Sequence, residues 1–548
     1  MAPFQSTGAH STIAASIPDP KAQMQYDMNV KNENPEKIES LTQVFAVAGA
    51  EPEVQAYAMA KYSRSSLSMK QSLAELNEQK AEKFLDTFYF QYGHRSIADL
   101  AHVAMAIERL SLLAATIVVD EQRWDGQERS TRYQDFKKSG YYTPALGGDA
   151  ELRRQYIEAI EQLFAEYREF SELMFRHLAE RTPRPAEMKE DAYERTLRAR
   201  AFDLSRYLLP MATNTSLGQI VNARTLETQV SRMLSHTHAE VRQLAEMLKQ
   251  AGRGAAYNVN QDAWTKLVEA IEAKDANLGD TARSLLLKPT RVAPTLVKYA
   301  EISRYETETR KALCQAAEEL MKGAAIASAT AVDLLEDDPL ELELATTLLY
   351  EHSRYSYRQV REAVSSLTDA QRSEIVDLGM RHRGRHDELL RAFCVGQRFR
   401  FDILMDIGGY RDMHRHRRCT QIAQAYSFAH GFDTPAEVED AGHSARYAEV
   451  MQRVSDAAHR IAAKLAEIGA ETEDAQYLIP LAYRKRALFK MDFAEVVYIT
   501  ELRTGPAGHY SYRNVAWKMY EAIAKRHPGM AKYFRVTDVR EPVDLLKR

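Results

Sequence analysis

The chain repeats one order of sequence features twice, and this internal repeat limits its fold more than any other feature. In each half an apolar run ends at a charged cluster, a long helix-like stretch follows, and an apolar-proline pair precedes an arginine-bearing helix. Because order and spacing agree, we predict two copies of one domain; the alternative is a chance likeness between two helical halves. The matching pieces are the runs 107–119 and 401–413, the clusters 120–132 and 415–418, and the pairs Leu209-Pro210 and Ile479-Pro480.

The boundary between the two copies is predicted near residues 286–294, where the sequence KPTRVAP interrupts the helical pattern with two prolines. We therefore expect a first domain over 37–290 and a second over 291–548. Residues 1–36 are rich in Ser, Thr, Pro, Asn and Gln, which predicts a flexible lead-in.

Helices are expected to dominate both copies. Apolar residues recur at three- and four-residue spacing over 151–180 and 444–469, which is typical of amphipathic helices. The short apolar stretches 113–119 and 400–405 are the strand candidates. The pattern predicts an α+β protein with much more helix than strand.

Composition excludes several classes of protein. The net charge of -4 argues against binding nucleic acid through bulk positive charge. We expect no membrane association, because no apolar stretch approaches the roughly 20 residues that cross a bilayer. The three cysteines, Cys314, Cys394 and Cys419, form no CxxC pair, which favours a reducing cytoplasm.

Two clusters carry candidate chemistry. Three arginines surround one histidine at Arg415-His416-Arg417-Arg418, and guanidinium groups match phosphate oxygens in pairs. In the other cluster, Glu128, Ser130 and Arg132 would share one side of an extended segment, where they suit a base plus a phosphate. A solvated basic turn and a polar edge strand or loop are the respective alternatives.

A metal site is not expected. His382 and His386 have HxxxH spacing, but arginines crowd the pair and the glutamate of an HExxH motif is missing. A solvated basic segment is the preferred interpretation.

The two clusters together resemble the signature RHRxxSxxExSxRY of flavin-dependent thymidylate synthases, which follows an apolar strand and an upstream GHxSxxEH element. The first half has Gly93-His94-Arg95-Ser96 upstream and Glu128, Ser130, Arg132 and Tyr133 on ExSxRY, but Asp120-Glu121-Gln122 stand in place of RHR. The second half has Arg415-His416-Arg417, with Thr420 at the Ser position, but lacks ExSxRY. Each copy keeps the portion that the other has lost.

Downstream elements resemble the same family. The first half has Leu209-Pro210 and Asn222-Ala223-Arg224, and the second has Pro480, Arg486 and Leu502-Arg503. Arg486 and Arg503 fall where the family places nucleotide-binding arginines.

The resemblance implies two tandem domains, each a small, mostly antiparallel sheet with long helices. It implies FAD as cofactor and reductive methylation of dUMP, or a related uracil nucleotide, with methylenetetrahydrofolate and NADPH. Family members are homotetramers, so we expect a homodimer of two-domain chains that forms a pseudo-tetramer. The alternative is a catalytically degenerate nucleotide- or flavin-binding scaffold or regulatory protein.

The resemblance also implies roles for single residues. FAD would be held by Arg415, His416, Arg417, Ser96, Asn222 and Arg224. The nucleotide would be held by Glu128, Ser130, Arg132, Arg486 and Arg503. Arg503 and Arg132 are the candidates for catalysis, as cations that stabilise charge developing on the substrate.

Overall fold

A computed structural model describes residues 47, 49–61, 95–137, 139–326, 330–335, 339–384, 390–393 and 399–544. The predicted lead-in, residues 1–36, lies outside this set. The described residues from 51 onward form one compact unit.

Each half contains one antiparallel sheet. The first sheet has the strand order β1-β3-β2, and the second has the order β4-β5-β7-β6. The strands are β1 (His102–Ser111), β2 (Asp125–Glu128), β3 (Asn214–Asn222), β4 (Val332–Leu334), β5 (Phe399–Asp406), β6 (Thr420–Ala423) and β7 (Arg484–Met491).

Helices cover most of the remaining described chain, which confirms the expected helix-rich α+β fold with small antiparallel sheets. In the first half they are α1 (Pro52–Lys61), α2 (Leu112–Val118), α3 (Ala150–Arg181), α4 (Glu190–Ser205), α5 (Ala223–Leu234), α6 (Ala239–Arg253), α7 (Gln261–Glu272) and α8 (Ala276–Leu286). They continue with α9 (Arg304–Leu320), α10 (Leu340–Glu351), α11 (Tyr357–Ser365), α12 (Asp369–Met380), α13 (Ile407–Met413), α14 (Ala436–Asp440), α15 (Ser444–Glu467), α16 (Phe493–Thr504) and α17 (Tyr510–Arg526). Short 3-10 helices lie at Arg95–Leu100, Leu146–Gly148, Arg206–Leu208, Arg391–Phe393, Thr472–Leu478 and Pro528–Tyr533.

One of the two strand predictions was wrong. Residues 113–119 belong mainly to α2, which begins where the Ser111 hydroxyl accepts a hydrogen bond from Ala114 N–H. A short, nearly continuous apolar run has no period that separates a helix from a strand. The prediction at 400–405 is confirmed by β5, and both amphipathic helices are confirmed by α3 and α15.

The two halves are related by a local twofold arrangement at their proline turns. Pro210 pairs with Pro480 in an antiparallel bridge. Met211 N–H donates to the Ile479 carbonyl at 2.9 Å, and Leu481 N–H donates to the Leu209 carbonyl at 3.0 Å. The same bond is thus made once in each direction, as in a symmetric dimer.

Helices α3 and α15 extend this pairing into a shared core. They pack against each other, with the rings of Phe170 and Tyr447 5.9 Å apart at 68°. One hydrophobic cluster contains apolar residues of both halves, among them Tyr156 and Ile461. Apolar burial of this kind is the main force holding the halves together.

Matching helix caps show how the copies have diverged. Ser111 caps α2 and donates two hydrogen bonds to the Glu240 carboxylate, one from its N–H at 2.9 Å and one from its hydroxyl at 2.6 Å. At the matching position Asp406 caps α13, and its other oxygen accepts from the Ser511 hydroxyl. Acid and hydroxyl have exchanged places between the halves, so each retains one buried acid–hydroxyl pair.

Within the described ranges, no helix is both long enough and apolar enough to span a bilayer.

Asp406→Asn should change how stability depends on pH. Burial, reinforced by Asp433, raises the pKa of Asp406 to about 6, above its unfolded value of 3.8. The folded state therefore holds this proton more tightly, and the free energy of unfolding falls as pH rises from about 4 to 6. Asparagine cannot ionise, so the variant should gain about 1 kcal/mol relative to wild type between pH 5 and pH 8.

Urea unfolding at both pH values measures this difference. Exposed Asp456→Asn is the control and should follow wild type. If Asp406→Asn also followed wild type, Asp406 would not be a raised-pKa acid.

Candidate functional site

The candidate site lies where the basic cluster of the second half meets the ExSxR segment of the first half. The Asp406 cap fixes the start of α13, and the basic cluster follows its end. Arg411 on α13 donates a hydrogen bond to Glu128, and Arg417 forms an ion pair with Asp125 at 3.0 Å. The residues of these two pairs lie 283 and 292 positions apart in the sequence, so two distant segments are in direct contact.

The ion pair between Glu128 and Arg411 is nearly buried, with 6% and 9% of the side chains exposed. The cost of removing two charges from water is recovered only when they pair with each other and with further hydrogen-bond partners. Arg411 also donates to the Thr131 hydroxyl at 3.5 Å. The pair therefore ties β2 of the first half to α13 of the second.

Arg132 is held by partners from both halves. Its Nε and Nη2 donate to the Asp203 carboxylate at 3.0–3.1 Å, while Nη1 donates to the Tyr512 hydroxyl at 2.9 Å and Nη2 to the Ala507 carbonyl at 3.3 Å. Four of the five guanidinium N–H groups are used, so one remains for a ligand. The extended face predicted for Glu128, Ser130 and Arg132 does not form, because the chain turns after β2 and the Ser130 hydroxyl accepts from Arg132 N–H.

Asp203 is the anionic centre of this junction. Burial alone would raise its pKa, but His509, Arg206 and Arg132 outweigh that effect and hold the pKa at about 2. Burial lowers the pKa of His509 to about 3, so its imidazole is neutral at physiological pH. Asp203 therefore balances guanidinium groups rather than an imidazolium.

Arg206 is a site residue that the sequence did not reveal. It lies 3.5 Å from Asp203 and 3.6 Å from Asp412 of the second half, with 2% of its side chain exposed. Its Nε and Nη2 have no hydrogen-bond partner among the described residues, and the same holds for Nε of Arg411 and Oδ2 of Asp412. Such buried unsatisfied groups are costly, so these atoms are candidates for hydrogen bonds with a bound polar group.

His416 positions Arg503. Arg503 Nε donates to His416 Nε2 at 2.7 Å, and Arg503 Nη2 donates to the Asp412 carbonyl at 2.8 Å. Burial, followed by the charge of Arg503, lowers the pKa of His416 to about 3, so the imidazole is a neutral acceptor. Two predicted site residues are therefore in direct contact.

The first half repeats this arrangement with an acid in place of the histidine. Arg232 donates to Glu121 at 2.9 Å and to the Ile117 carbonyl at 2.8 Å. Glu121 therefore takes the structural place of His416, as the alignment of 120–122 with RHR implied. Asp120, at the place of Arg415, forms an ion pair with Arg391 at 2.6 Å.

The remaining predicted residues are not gathered at this junction. Arg486 is 2% exposed and paired with Asp402 at 2.8 Å. Asn222 caps α5 by accepting from Thr225 N–H, and Arg224 donates to Asp99 at 3.3 Å. Arg415 is exposed. The side chain of Ser96 and all of His386 lie outside the described residues.

Asp203→Ala should destabilise the protein strongly. Without Asp203, the buried Arg132 and Arg206 have no carboxylate partner in the first half. Loss of such a partner typically lowers the free energy of unfolding by about 3–5 kcal/mol. Urea unfolding measures the loss, with exposed Asp377→Ala on α12 as the control. A loss below about 1 kcal/mol would contradict the central role given to Asp203.

Comparison with known proteins reveals the relationship of the chain. The family model for thymidylate synthase complementing protein matches residues 45–255 and 333–529. A UPF0159 protein of Chlamydia pneumoniae is 27% identical over 531 residues, which cover 92% of this chain and 93% of that protein. A flavin-dependent thymidylate synthase of Clostridium tetani is 27% identical over 208 residues, covering 37% of this chain and 79% of that protein.

Among solved structures, thymidylate synthase X from Helicobacter pylori with FAD and dUMP has a TM-score of 0.25 and 18% sequence identity, and the match covers 36% of this chain and 88% of that chain. The family model matches well over half of the chain in two separate segments, which confirms the tandem arrangement. The chain therefore belongs to the thymidylate synthase complementing protein family, as a member with two copies of the family domain.

Proposed function

We propose that the chain binds FAD and a uracil nucleotide at the junction of its halves and catalyses reductive methylation of dUMP or a related uracil nucleotide. Methylenetetrahydrofolate would supply the carbon and NADPH the reducing equivalents. The observation that carries this proposal is the contact of the 411–417 segment with the 125–132 segment. This contact joins the two portions of the signature, of which each copy retains only one.

The residues at the junction fit a polyanionic cofactor. Arg415 is exposed and makes no hydrogen bond or ion pair with the described residues, and Arg417 is partly exposed. Deeper in the junction, Arg206 and Arg411 retain unsatisfied N–H donors. Guanidinium donors of this kind match the oxygens of a pyrophosphate. Bound FAD would supply the hydride chemistry, and these side chains would hold and orient it.

Arg503 is the best-placed catalytic candidate. His416 and the Asp412 carbonyl use two of its five N–H groups, which leaves three for a substrate. A guanidinium fixed in advance stabilises negative charge developing on a uracil ring without reorganising during the reaction. Arg132 has a single free N–H, so we assign it a positioning role at the nucleotide phosphate.

Because Arg132 has only one free N–H, other cations would have to bind most of the nucleotide phosphate. Arg486 is buried against Asp402, whereas Arg206 lies at the junction with two unsatisfied nitrogens. We therefore propose Arg206 as the principal phosphate-binding cation.

The second candidate function is a nucleotide- or flavin-binding protein without turnover. It is favoured by the engagement of Glu128 with Arg411 and by the acids Asp120 and Glu121, which occupy the RHR positions of the first copy. The first contact engages the Glu128 carboxylate that would bind the substrate, and the acids would repel a pyrophosphate at the RHR positions of the first copy, so both features argue against turnover.

We also propose that two chains form a homodimer in a reducing cytoplasm. The two halves of one chain already pair like two subunits across Pro210 and Pro480, so a dimer would form a pseudo-tetramer.

The test of function combines binding with turnover. The full chain is incubated with FAD, dUMP, methylenetetrahydrofolate and NADPH, and methylated product is measured by mass spectrometry. We expect product that depends on all four compounds. Flavin and dUMP binding without product would establish the second candidate instead, and no binding of either would overturn both.

Arg415→Ala combined with Arg417→Ala should weaken FAD binding at least tenfold, because two charge-assisted contacts to phosphate are lost. Both side chains reach solvent, so the melting temperature should stay close to wild type. Flavin fluorescence during titration gives the dissociation constant. Exposed Arg195→Ala on α4 is the control, and an affinity loss no larger than that of the control would remove these residues from the FAD site.

A further inference from the structure

A pocket of about 410 Å³ lies between the loop after α5 and one face of α9. Helix α9 falls within residues 256–332, between the two matched regions, so family membership assigns it no role. The side chains that line the pocket come from both sides: His236 and Thr237 from the loop, and Thr307, Arg310, Lys311 and Cys314 from α9.

The four α9 residues are spaced by three, one and three positions, which puts them along one helix face. That face carries two cations, and no carboxylate lines the pocket in the described part of the chain. Glu306 lies on the same helix and interacts with Arg310, but it is not part of the lining, and burial raises its pKa. The pocket wall therefore carries net positive charge.

Most hydrogen-bond donors of the two cations are unused. Arg310 spends one Nη1 N–H on the Ser235 carbonyl at 2.9 Å, and this bond anchors the guanidinium at the pocket. Its other N–H groups have no hydrogen-bond partner among the described residues. Lys311 is exposed and forms no hydrogen bond or ion pair within the same set. An anion in the pocket would contact both the anchored guanidinium of Arg310 and the ammonium of Lys311.

His236 adds a third donor. His238 N–H donates to His236 Nδ1 at 3.2 Å, so in the neutral ring the proton lies on Nε2. Burial lowers the pKa of His236 well below its usual value, and His238, Arg310, Arg232 and Arg242 lower it further. Arg310, Arg232 and Arg242 place positive charge around this ring, while Glu318, Glu351 and Glu473 lie near enough to raise the pKa of Cys314.

We propose that this pocket binds a small phosphorylated molecule, with its phosphate held by Arg310, Lys311 and His236. Two phosphate oxygens match the guanidinium fork of Arg310, and a further oxygen remains for the Lys311 ammonium and the His236 N–H. A free phosphate ion would fill only part of about 410 Å³, and the remaining volume accommodates an organic body the size of a pentose. The pocket uses none of the junction residues, so it is independent of the proposed FAD site.

Cys314 provides a local reporter, since it lines the pocket and is partly exposed whereas Cys419 is buried. The full chain is alkylated with N-ethylmaleimide at pH 8.5, and modification of the Cys314 peptide is followed by mass spectrometry. The probes are inorganic phosphate and ribose 5-phosphate. When its concentration is ten times its dissociation constant, either probe should slow alkylation of Cys314 about elevenfold, because only about one pocket in eleven is then empty.

The two probes separate the possible sources of the phosphate. Protection by ribose 5-phosphate at lower concentration identifies a phosphate ester, whereas protection by inorganic phosphate at lower concentration identifies the free ion. Absence of protection by both would overturn the proposal.

Variants test the assigned residues. Arg310→Ala should raise the protecting concentration of the preferred probe at least tenfold. Lys311→Ala should also raise it and should fold normally, because the Lys311 side chain is exposed. Arg304→Ala, exposed on the same helix but outside the pocket, is the matched control and should leave protection unchanged. The double variant Arg415→Ala with Arg417→Ala should retain full protection of Cys314 by the probe. Loss of protection in that double variant would contradict the site. So would unchanged protection in both Arg310→Ala and Lys311→Ala.

Discussion

The pairing of the two proline turns is the constraint on which the rest of the structure depends. Pro210 and Pro480 meet in one antiparallel bridge, and the adjoining backbone bonds fix both halves in a twofold relation. The same segments accept hydrogen bonds from the first N–H groups of α2 and α13: Leu112 donates to the Thr213 carbonyl, and Ile407 donates to the Tyr483 carbonyl. The position of α13, and hence of Arg411 and the basic cluster, is therefore set by the turn that joins the halves.

The same relation explains how two incomplete signatures coexist. In a symmetric dimer each junction would contain one basic cluster and one ExSxR segment. Here the acids Asp120 and Glu121 stand where the other copy has Arg415 and the neutral His416, and each has an arginine partner, Arg391 and Arg232 respectively. The buried charges on that side are thereby paired, while the other side keeps cationic groups with unused donors. The copies have diverged without leaving these acids unpaired.

Much of the fold could be predicted from the sequence because long amphipathic helices have a clear period. Both α3 and α15 were identified to within about two residues. Helix α2 was not identified, because its residues are apolar all round and its helical start depends on the Ser111 cap and on tertiary bonds to the proline turn.

The site was less predictable, because its charges acquire partners only in three dimensions. The signature located Glu128, Arg132 and the basic cluster, but no local pattern linked them to Asp203 or Arg206. Arg411 had one usable signal, since it lies four residues before Arg415 and therefore near the cluster if the segment is helical. The burial of Arg486 by Asp402 could not be foreseen, because the acid lies on the neighbouring strand β5, 84 positions earlier in the sequence.

The central claim is that the two halves share one site through the contact of Glu128 with Arg411. A double-mutant cycle with Glu128→Ala, Arg411→Ala and the double variant, measured by urea unfolding of the full chain, tests it most directly. A nearly buried charge pair should give a coupling free energy of about 1–3 kcal/mol. Effects that simply add, within about 0.5 kcal/mol, would show that the two segments do not meet and would contradict the account.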